Sequence, residues 1–318
     1  MTGRRSTGWS WRTRTALALL AVLVLVGAGV GLSYRRQIVS YVTHRKGGPD
    51  VTVPWEPYAD APEWHLAVAG DTGEPGGRLE TIGRAMAVRD DADPYDALLL
   101  LGDLVYPSGD PDRLPEVVYR PFADVLDGGT ELLAILGNHD VKADHADELL
   151  RALDQPGRYW SHRTGDVLVI GLDSTEPTDP EQLAWLEEEL ETTTATWKIV
   201  ALHHPPYSAG YQGSSTDVRA ALSPIFARHG VQLVLSGHEH DYQRNRSIDG
   251  VTYVVSGAGA DTRRTGDEWF TEVSFSSCHF LDIALVDYRL VVRAVDHDGR
   301  VADEVWLSDR APGPPLPA

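Results

Sequence analysis

Two histidines stand in alternate positions directly after an apolar run of the sequence. The run Val231–Leu235 ends at Ser236 and Gly237, and His238 and His240 follow. Such a run predicts a strand buried on both faces, and binding sites in open α/β sheets lie beyond the carboxyl ends of these strands. Imidazole is the commonest side-chain ligand of metal ions. The pair therefore predicts a metal site at the rim of a sheet, with a solvated turn as the alternative for this motif alone.

Four other apolar segments end in polar side chains that can also bind a metal ion. In chain order these side chains are Asp71, Asp103 with Tyr106, Asn138 with His139, and His203. Each end alone is ordinary, because Gly-Asp and Gly-Asn are common turn dipeptides. Five such ends together favour a metal centre of nitrogen and oxygen donors, which suits zinc, iron or manganese. Even without His139, the seven remaining donors exceed the needs of one four-coordinate ion, so we expect two adjacent ions.

Helical patterns separate these strands along the chain. We expect helices at about Arg78–Arg89, Leu114–Leu126, Asp144–Leu153, Glu181–Glu191 and Asp217–His229. The alternation of strand and helix predicts an α/β domain with parallel strands. Beyond Val251 the pattern changes to two alternating segments, His279–Val286 and Arg289–Val295, which predict antiparallel hairpins that complete a second sheet.

The five strand ends resemble the motifs of the calcineurin-like metallophosphoesterases and, among them, the purple acid phosphatases. The resemblance covers Trp64 to Val295 and rests on five segments: GDTG at 70–73, GDLVY at 102–106, GNHD at 137–140, VALH at 200–203 and GHEH at 237–240. It implies a four-layer αββα sandwich. In that fold two mixed β-sheets pack face to face with helices outside, and a dimetal site lies at the C-termini of the strands.

The same resemblance implies a role for each donor. Three would bind Fe³⁺: Asp71, Tyr106 and His240. Three would bind a divalent ion, Fe²⁺, Zn²⁺ or Mn²⁺: Asn138, His203 and His238. Asp103 would bridge the two ions.

One departure from the usual motif points to the purple branch. Most metallophosphoesterases have Asp-x-His in the first motif, whereas Gly73 takes the place of that histidine here. Tyr106 supplies the replacement donor. A phenol has a pKa near 10 in water, so its binding as phenolate requires a strongly acidic cation, and Fe³⁺ meets that need better than Zn²⁺ or Mn²⁺.

The charge of such a centre predicts phosphate chemistry. A formal metal charge of about +5, less one each for Asp71, Asp103 and the Tyr106 phenolate, leaves roughly +2 to attract a phosphate dianion. A metal-bound hydroxide would attack phosphorus. His139, oriented by Asp140, would hydrogen-bond the phosphate or protonate the departing oxygen.

The substrate preference is less determined than the metal ligands. Close relatives often have a further histidine beyond the His203 motif, and residues 205–228 contain none. The candidates to replace it are His204, Tyr207 and Tyr211. The resemblance as a whole implies an acid phosphatase-like hydrolase of phosphate monoesters, and this is the function we expect. The alternatives are a phosphodiesterase or nucleotide hydrolase with the same metals, and a non-enzymatic metal-bearing surface protein, against which the complete donor set counts.

The first residues of the chain differ in character from the rest. Residues 16–32 are uncharged and almost wholly apolar, with arginines on both sides, and are long enough to cross a bilayer. We expect a basic cytoplasmic segment at 1–14, an uncleaved transmembrane helix at 15–33, a linker at 34–62, the catalytic domain at 63–307 outside the cytoplasm, and a disordered Pro-rich tail at 308–318. A cleaved signal peptide, which would give a secreted protein, is the alternative.

The distribution of charge restricts the partners. Residues 1–46 contain eight Lys or Arg and no acid, which leaves 20 basic against 47 acidic residues after Lys46 and a formal charge of −27 there. Such a field repels nucleic acid and anionic lipid. We therefore expect a small phosphorylated substrate, no nucleic acid, and contact with a lipid bilayer only through the N-terminal helix. The single cysteine, Cys278, permits no internal disulfide and is expected to be a small buried residue.

Overall fold

The computed structural model describes residues 44–308 of the chain. The transmembrane helix expected at 15–33 and almost all of the tail expected at 308–318 lie outside these residues, so both stay predictions. Between residues 44 and 308, no helix has the length and apolarity that a membrane span requires.

Seven strands of the described chain form a first mixed sheet. Their order across the sheet is β1-β14-β13-β12-β2-β3-β4. The bounds are β1 Val53–Pro54, β2 Trp64–Ala69, β3 Ala97–Leu100, β4 Glu131–Ala134, β12 His279–Val286, β13 Arg289–Asp296 and β14 Arg300–Leu307. β2, β3 and β4 are parallel neighbours. The C-terminal hairpins were expected to complete a second sheet, but they instead extend this one, because β12 pairs antiparallel with β2.

A second mixed sheet contains the seven remaining strands of residues 44–308. Their order is β11-β9-β10-β8-β7-β6-β5. The bounds are β5 Trp160–Thr164, β6 Val167–Leu172, β7 Trp197–Leu202, β8 Leu233–Ser236, β9 Tyr242–Asn245, β10 Thr252–Ser256 and β11 Thr271–Phe275. β6, β7, β8 and β10 run parallel. β5 pairs antiparallel with β6 at one edge, and near the other edge β9 pairs antiparallel with both β10 and β11.

The helices cover the outer faces of the two sheets. Their bounds are α1 Gly77–Asp90, α2 Ala123–Leu126, α3 Ala146–Ala152, α4 Pro180–Thr192 and α5 Thr216–Arg228. Alternate residues of each strand face opposite ways. Leu99 and Ile199 therefore meet in the core between the sheets, whereas Leu98 packs under α1 and Val200 under α4 and α5. The predicted arrangement of two mixed sheets with flanking helices is confirmed.

Two segments differ from the expectation. The helix expected at Leu114–Leu126 is a 3₁₀ turn at Pro111–Arg113, a π-helical turn at Pro115–Tyr119 and the four-residue α2, because Pro121 cannot continue a regular helix. The described part of the expected linker packs against the domain: Trp55 and Tyr58 donate hydrogen bonds to the buried carboxylate of Asp282.

Candidate metal centre

The ends of five parallel strands bring the expected donors to one place. β2, β3 and β4 of the first sheet and β7 and β8 of the second all point their carboxyl ends to the same side of the sandwich, where the loops after them meet. Ligand atoms of Asp71, Asp103 and His203 all lie within 4.8 Å of one another, and the three residues are buried. The alternation of parallel strands and helices thus positions the donors, as the sequence pattern predicts.

The donors form two adjacent groups. In one, the Tyr106 hydroxyl lies 3.0 Å from both Asp71 Oδ1 and His240 Nε2. In the other, His203 Nε2 lies 3.4 Å from Asp103 Oδ1 and 3.3 Å from His238 Nδ1. The first group contains the three residues that the resemblance assigns to Fe³⁺. The second contains the proposed bridging residue Asp103 and two of the three residues assigned to the divalent ion, His203 and His238.

Asn138 is held beside Asp103 by its neighbours in the chain. The backbone amide of His139 donates to Asp103 Oδ1 at 2.8 Å. A Cβ atom on Gly137 would lie 2.3 Å from the same oxygen, so this approach requires glycine. The Asn138 Oδ1 atom is buried and has no hydrogen-bond partner in the described part of the chain, which leaves it available for a cation.

Three donor residues have a left-handed backbone conformation. The φ angles are 54° at Asp71, 51° at Asp103 and 70° at His238, a region that side chains other than glycine seldom adopt. Such strain persists only where surrounding contacts enforce it, and it is concentrated at functional sites. Here the His238 amide donates to Asp71 Oδ2 at 2.7 Å, so the first sheet fixes a turn of the second.

The structure explains why Gly73 and Tyr106 occur together. The Gly73 amide donates to the Asp103 carbonyl at 3.0 Å, and the Tyr106 amide donates to the Gly73 carbonyl at 3.2 Å. A Cβ atom at Gly73 would lie 2.7 Å from the Tyr106 nitrogen. A side chain at 73 is therefore excluded by the loop that carries Tyr106.

Burial and charge set the protonation of the donors. Burial alone would lower the pKa of His203, but the carboxylates of Asp103 and Asp71 raise this pKa to about 10. Burial, and then the charge of His203, lower the pKa of His238, whose ring is therefore neutral, the form that binds metals. Burial and the carboxylates of Asp71 and Asp103 raise the pKa of Tyr106, so only a strongly acidic cation would stabilise its phenolate.

His139 lies at the rim of the centre, and its contacts correct one expectation. Its ring packs edge-on against Tyr106 with ring centroids 4.7 Å apart, and its Nδ1 atom lies 2.8 Å from the Pro107 carbonyl. Asp140 does not orient His139. Its carboxylate instead accepts from the amides of Leu104, Val105 and Gly137, because it is fully buried beneath the two loops.

The three residues considered as substrate contacts have different surroundings. His204 lies beside the centre, with its ring centroid 4.5 Å from that of His238. Tyr207 does not: it is buried among Tyr253 and Phe270, with its ring under the guanidinium of Arg219, and is a core residue. Tyr211 is half-buried.

Two residues next to the centre, Ser174 and Lys142, were not predicted from the sequence. Ser174 follows β6 and binds His204 twice: its hydroxyl lies 2.9 Å from Nδ1 and accepts from the His204 amide. Its position after β6, another parallel strand, could have indicated that Ser174 lies near the centre. Lys142 places Nζ 3.0 Å from His139 Nδ1, three residues along the chain, and no motif marks it.

The comparisons with known proteins agree with this site. The model of the calcineurin-like phosphoesterase family matches residues 65–242, more than half of the chain, and the chain belongs to this family. It is 25% identical over 230 residues to purple acid phosphatase 7 of Arabidopsis thaliana, covering 62% of this chain and 70% of the relative. The predicted likeness to the purple acid phosphatase branch is confirmed.

Two further similarities qualify this assignment. A cAMP/cGMP dual specificity phosphodiesterase of Mycobacterium tuberculosis is 32% identical over 182 residues, which are 53% of this chain and 55% of that enzyme. The chain thus spans little more than half of this relative. The purple acid phosphatase of yellow lupin seeds superposes with a TM-score of 0.67 at 18% identity, over 82% of this chain and 58% of the lupin chain, and shows the common fold.

Proposed function

We propose that this protein hydrolyses phosphate monoesters at a centre of two metal ions, one of them ferric. The observation that carries the proposal is the position of the Tyr106 hydroxyl, 3.0 Å from both Asp71 and His240 in a place that Gly73 leaves to it. A phenol, a carboxylate and an imidazole form a donor set that suits Fe³⁺.

The residues present fit two cations. Asp71, Tyr106 and His240 would hold the ferric ion, Asn138, His203 and His238 the divalent one, and Asp103 both. Among residues 44–308, the buried Oδ1 of Asn138, a proposed ligand atom, has no hydrogen-bond partner. An unpaired buried polar atom costs about 1–3 kcal/mol, which ligation to a cation would recover. When bound, the ions supply positive charge for the phosphate and activate a water molecule.

The protein itself supplies the groups around the reacting phosphate. His139 is held toward the centre by Pro107 and Tyr106, so its ring is placed to hydrogen-bond the phosphate or protonate the departing oxygen. Lys142 adds a positive charge beside it. On the other side, Ser174 orients His204, which would contact the substrate next to His238.

Phosphodiester hydrolysis is the second candidate. It is favoured by the similarity to the mycobacterial phosphodiesterase and by the absence of histidine from residues 205–228. Both reactions use the same donors. They differ in the charge of the substrate and in the need to protonate the leaving group.

The test is to purify the full chain, determine its metals by elemental analysis, record its visible spectrum and assay a monoester beside a diester. We expect two ions per chain, one of them iron, and a higher kcat/KM for the monoester. A single ion in the fully loaded protein contradicts the dimetal proposal, and a preference for the diester favours the second candidate.

Tyr106→Phe tests the ferric site directly. A phenolate bound to Fe³⁺ transfers charge to the metal in visible light, so the oxidised wild type should be pink to violet. The variant keeps the ring but loses the oxygen, and it should lose the colour while the sheets stay folded. The comparison requires iron in both proteins. Colour that persists in the variant shows that Tyr106 is not a ligand.

A further inference from the structure

The loop after β10 wraps the ferric half of the proposed centre. A Cβ atom on Gly257 would lie 2.5 Å from Asp71 Oδ2, and the Gly259 amide donates to the Gly70 carbonyl at 3.0 Å. The loop returns to the centre at Arg263, whose amide donates to the His240 carbonyl at 2.7 Å. The backbone of Arg263 therefore adjoins a proposed metal ligand.

The side chain of Arg263 has unused donors. It is half-buried, and among residues 44–308 its guanidinium makes no hydrogen bond or ion pair. The next residue, Arg264, differs, since its Nη1 donates to the His44 carbonyl. A guanidinium carries five N–H donors in a rigid fork that matches the oxygens of a phosphate. Arg263 thus has a free fork beside an anion-binding centre.

The charge of Arg263 acts on both halves of the centre. Burial and the carboxylates of Asp71 and Asp103 raise the pKa of Tyr106, and Arg263 opposes this rise. Burial lowers the pKa of His238, and Arg263 is among the charges that lower it further. These effects agree with the backbone position, because they require the guanidinium to lie within electrostatic reach of Tyr106 and His238.

The loop is fixed from outside by the first described residues. Arg45 pairs with Thr265 through two backbone hydrogen bonds of 2.9 and 3.0 Å, and the Ser276 amide donates to the Gly47 carbonyl. The Ser276 hydroxyl donates to the Arg263 carbonyl. Residues 44–47 therefore act as a strap that pre-organises Arg263, which reduces the entropy lost when it binds an anion.

We propose that Arg263 is a substrate-binding residue that favours the dianion of a phosphate monoester over the monoanion of a diester. This inference rests on the proposed function. A monoester has three terminal oxygens, whereas a diester has two and one charge less. Two oxygens are enough to engage a pair of cations, so only the monoester keeps a third oxygen for the guanidinium.

The test compares Arg263→Gln with Arg264→Gln in the full, metal-loaded chain, which retains the strap. Two quantities are measured: kcat/KM for one monoester and one diester, and the Kd of inorganic phosphate by titration calorimetry. Arg263→Gln should lower the monoester kcat/KM and weaken phosphate binding about tenfold or more, with less than about a threefold loss for the diester. Arg264→Gln should change neither the ratio nor the Kd.

A second variant separates charge from misfolding. Arg263→Lys keeps the charge without the fork and should recover part of the phosphate affinity, with wild-type metal content in all three variants. If Arg263→Gln lost the same factor in kcat/KM for both esters, or kept the phosphate Kd of the wild type, this inference would be overturned while the proposed function would stand. A wild type that is fully loaded with metal yet cleaves neither ester contradicts the proposed function, and this inference with it.

Discussion

Two buried clusters of histidine and aspartate lie at opposite ends of β2, and they differ in how their polar atoms are paired. His65, near the start of the strand, places Nε2 2.6 Å from Asp282 Oδ1 and Nδ1 2.9 Å from the Asp93 carbonyl. Asp282 also accepts from Tyr58 at 3.2 Å and Trp55 at 3.0 Å. In this Asp282 cluster, both ring nitrogens and both carboxylate oxygens have partners.

The metal centre, beyond the other end of β2, is built differently. Asp71, Asp103 and His238 are held in left-handed backbone conformations, and the buried Asn138 Oδ1 has no hydrogen-bond partner among residues 44–308. Both clusters contain buried histidine and aspartate, so residue type and burial alone do not identify a site. The metal centre is identified by its strained backbone at the carboxyl ends of strands and by an unpaired ligand atom among its donors, because both cost free energy unless something binds there.

The largest expected effect comes from changing Asp103, the donor that the two groups of the metal centre share. Asp103→Asn should release both metal ions together, because Asp103 lies between the two donor groups. It should also lower kcat by more than about 100-fold, which is more than the loss of a residue that only supports a metal ligand would cause. Elemental analysis and steady-state kinetics measure the two effects.

The matched control is the same substitution in the Asp282 cluster. Asp282→Asn should keep both ions and the kcat of the wild type, but should lower the free energy of unfolding by about 3 kcal/mol, because an amide replaces the buried carboxylate that is hydrogen-bonded to Trp55, Tyr58 and His65. If Asp103→Asn retained one ion at full occupancy, or if Asp282→Asn lost metal, the contrast between the two clusters would fail.

A smaller effect is expected at the rim of the centre. His139→Ala should keep both ions but lower kcat about 100-fold, because it removes the group placed to assist the leaving oxygen. His145→Ala is the matched control, since His145 binds the carbonyl of Ser108 in the same loop but lies outside the donor set. Unchanged kinetics in His139→Ala would assign His139 a structural role.

The centre could be predicted from the sequence because a simple rule positions it. Each donor follows an apolar strand, and the carboxyl ends of parallel strands meet, so Asp71 and His203 converge without knowledge of the side-chain packing. The strands and helices themselves could be predicted from the spacing of apolar residues along the chain.

The surroundings of the centre could not be predicted, because they depend on which loops meet. The carboxylate of Asp140 satisfies amides from two loops, and only the folded chain shows that these lie above it. Tyr207 follows the His203 motif, yet its ring packs against Tyr253 from β10. Arg263 belongs to no motif, and it reaches the centre only through the strap and the β10 loop.

The smallest effect is predicted for a variant that removes one hydrogen bond from the Asp282 cluster. Tyr58→Phe keeps the ring contact with Arg293 but deletes the hydroxyl that donates to Asp282. We expect the free energy of unfolding to fall by about 1 kcal/mol at pH 7, with metal content unchanged. Denaturant unfolding measures the difference. A loss above about 3 kcal/mol would show that His65 and Trp55 do not hold the carboxylate without Tyr58.

Tyr95→Phe is the control, and pH supplies a second test. The Tyr95 ring also contacts His65, but its buried hydroxyl has no hydrogen-bond partner between residues 44 and 308. Removal of this hydroxyl should therefore leave stability unchanged or raise it. Burial alone would raise the pKa of Asp282, but the hydrogen bond and charge of His65 hold this pKa below its usual value. The stabilisation by the carboxylate is therefore fully present above about pH 4 and is lost as the pH falls through the lowered value. The difference between Tyr58→Phe and wild type should shrink over the same interval, because a protonated Asp282 is a weaker acceptor, whereas the Tyr95→Phe difference should not change with pH.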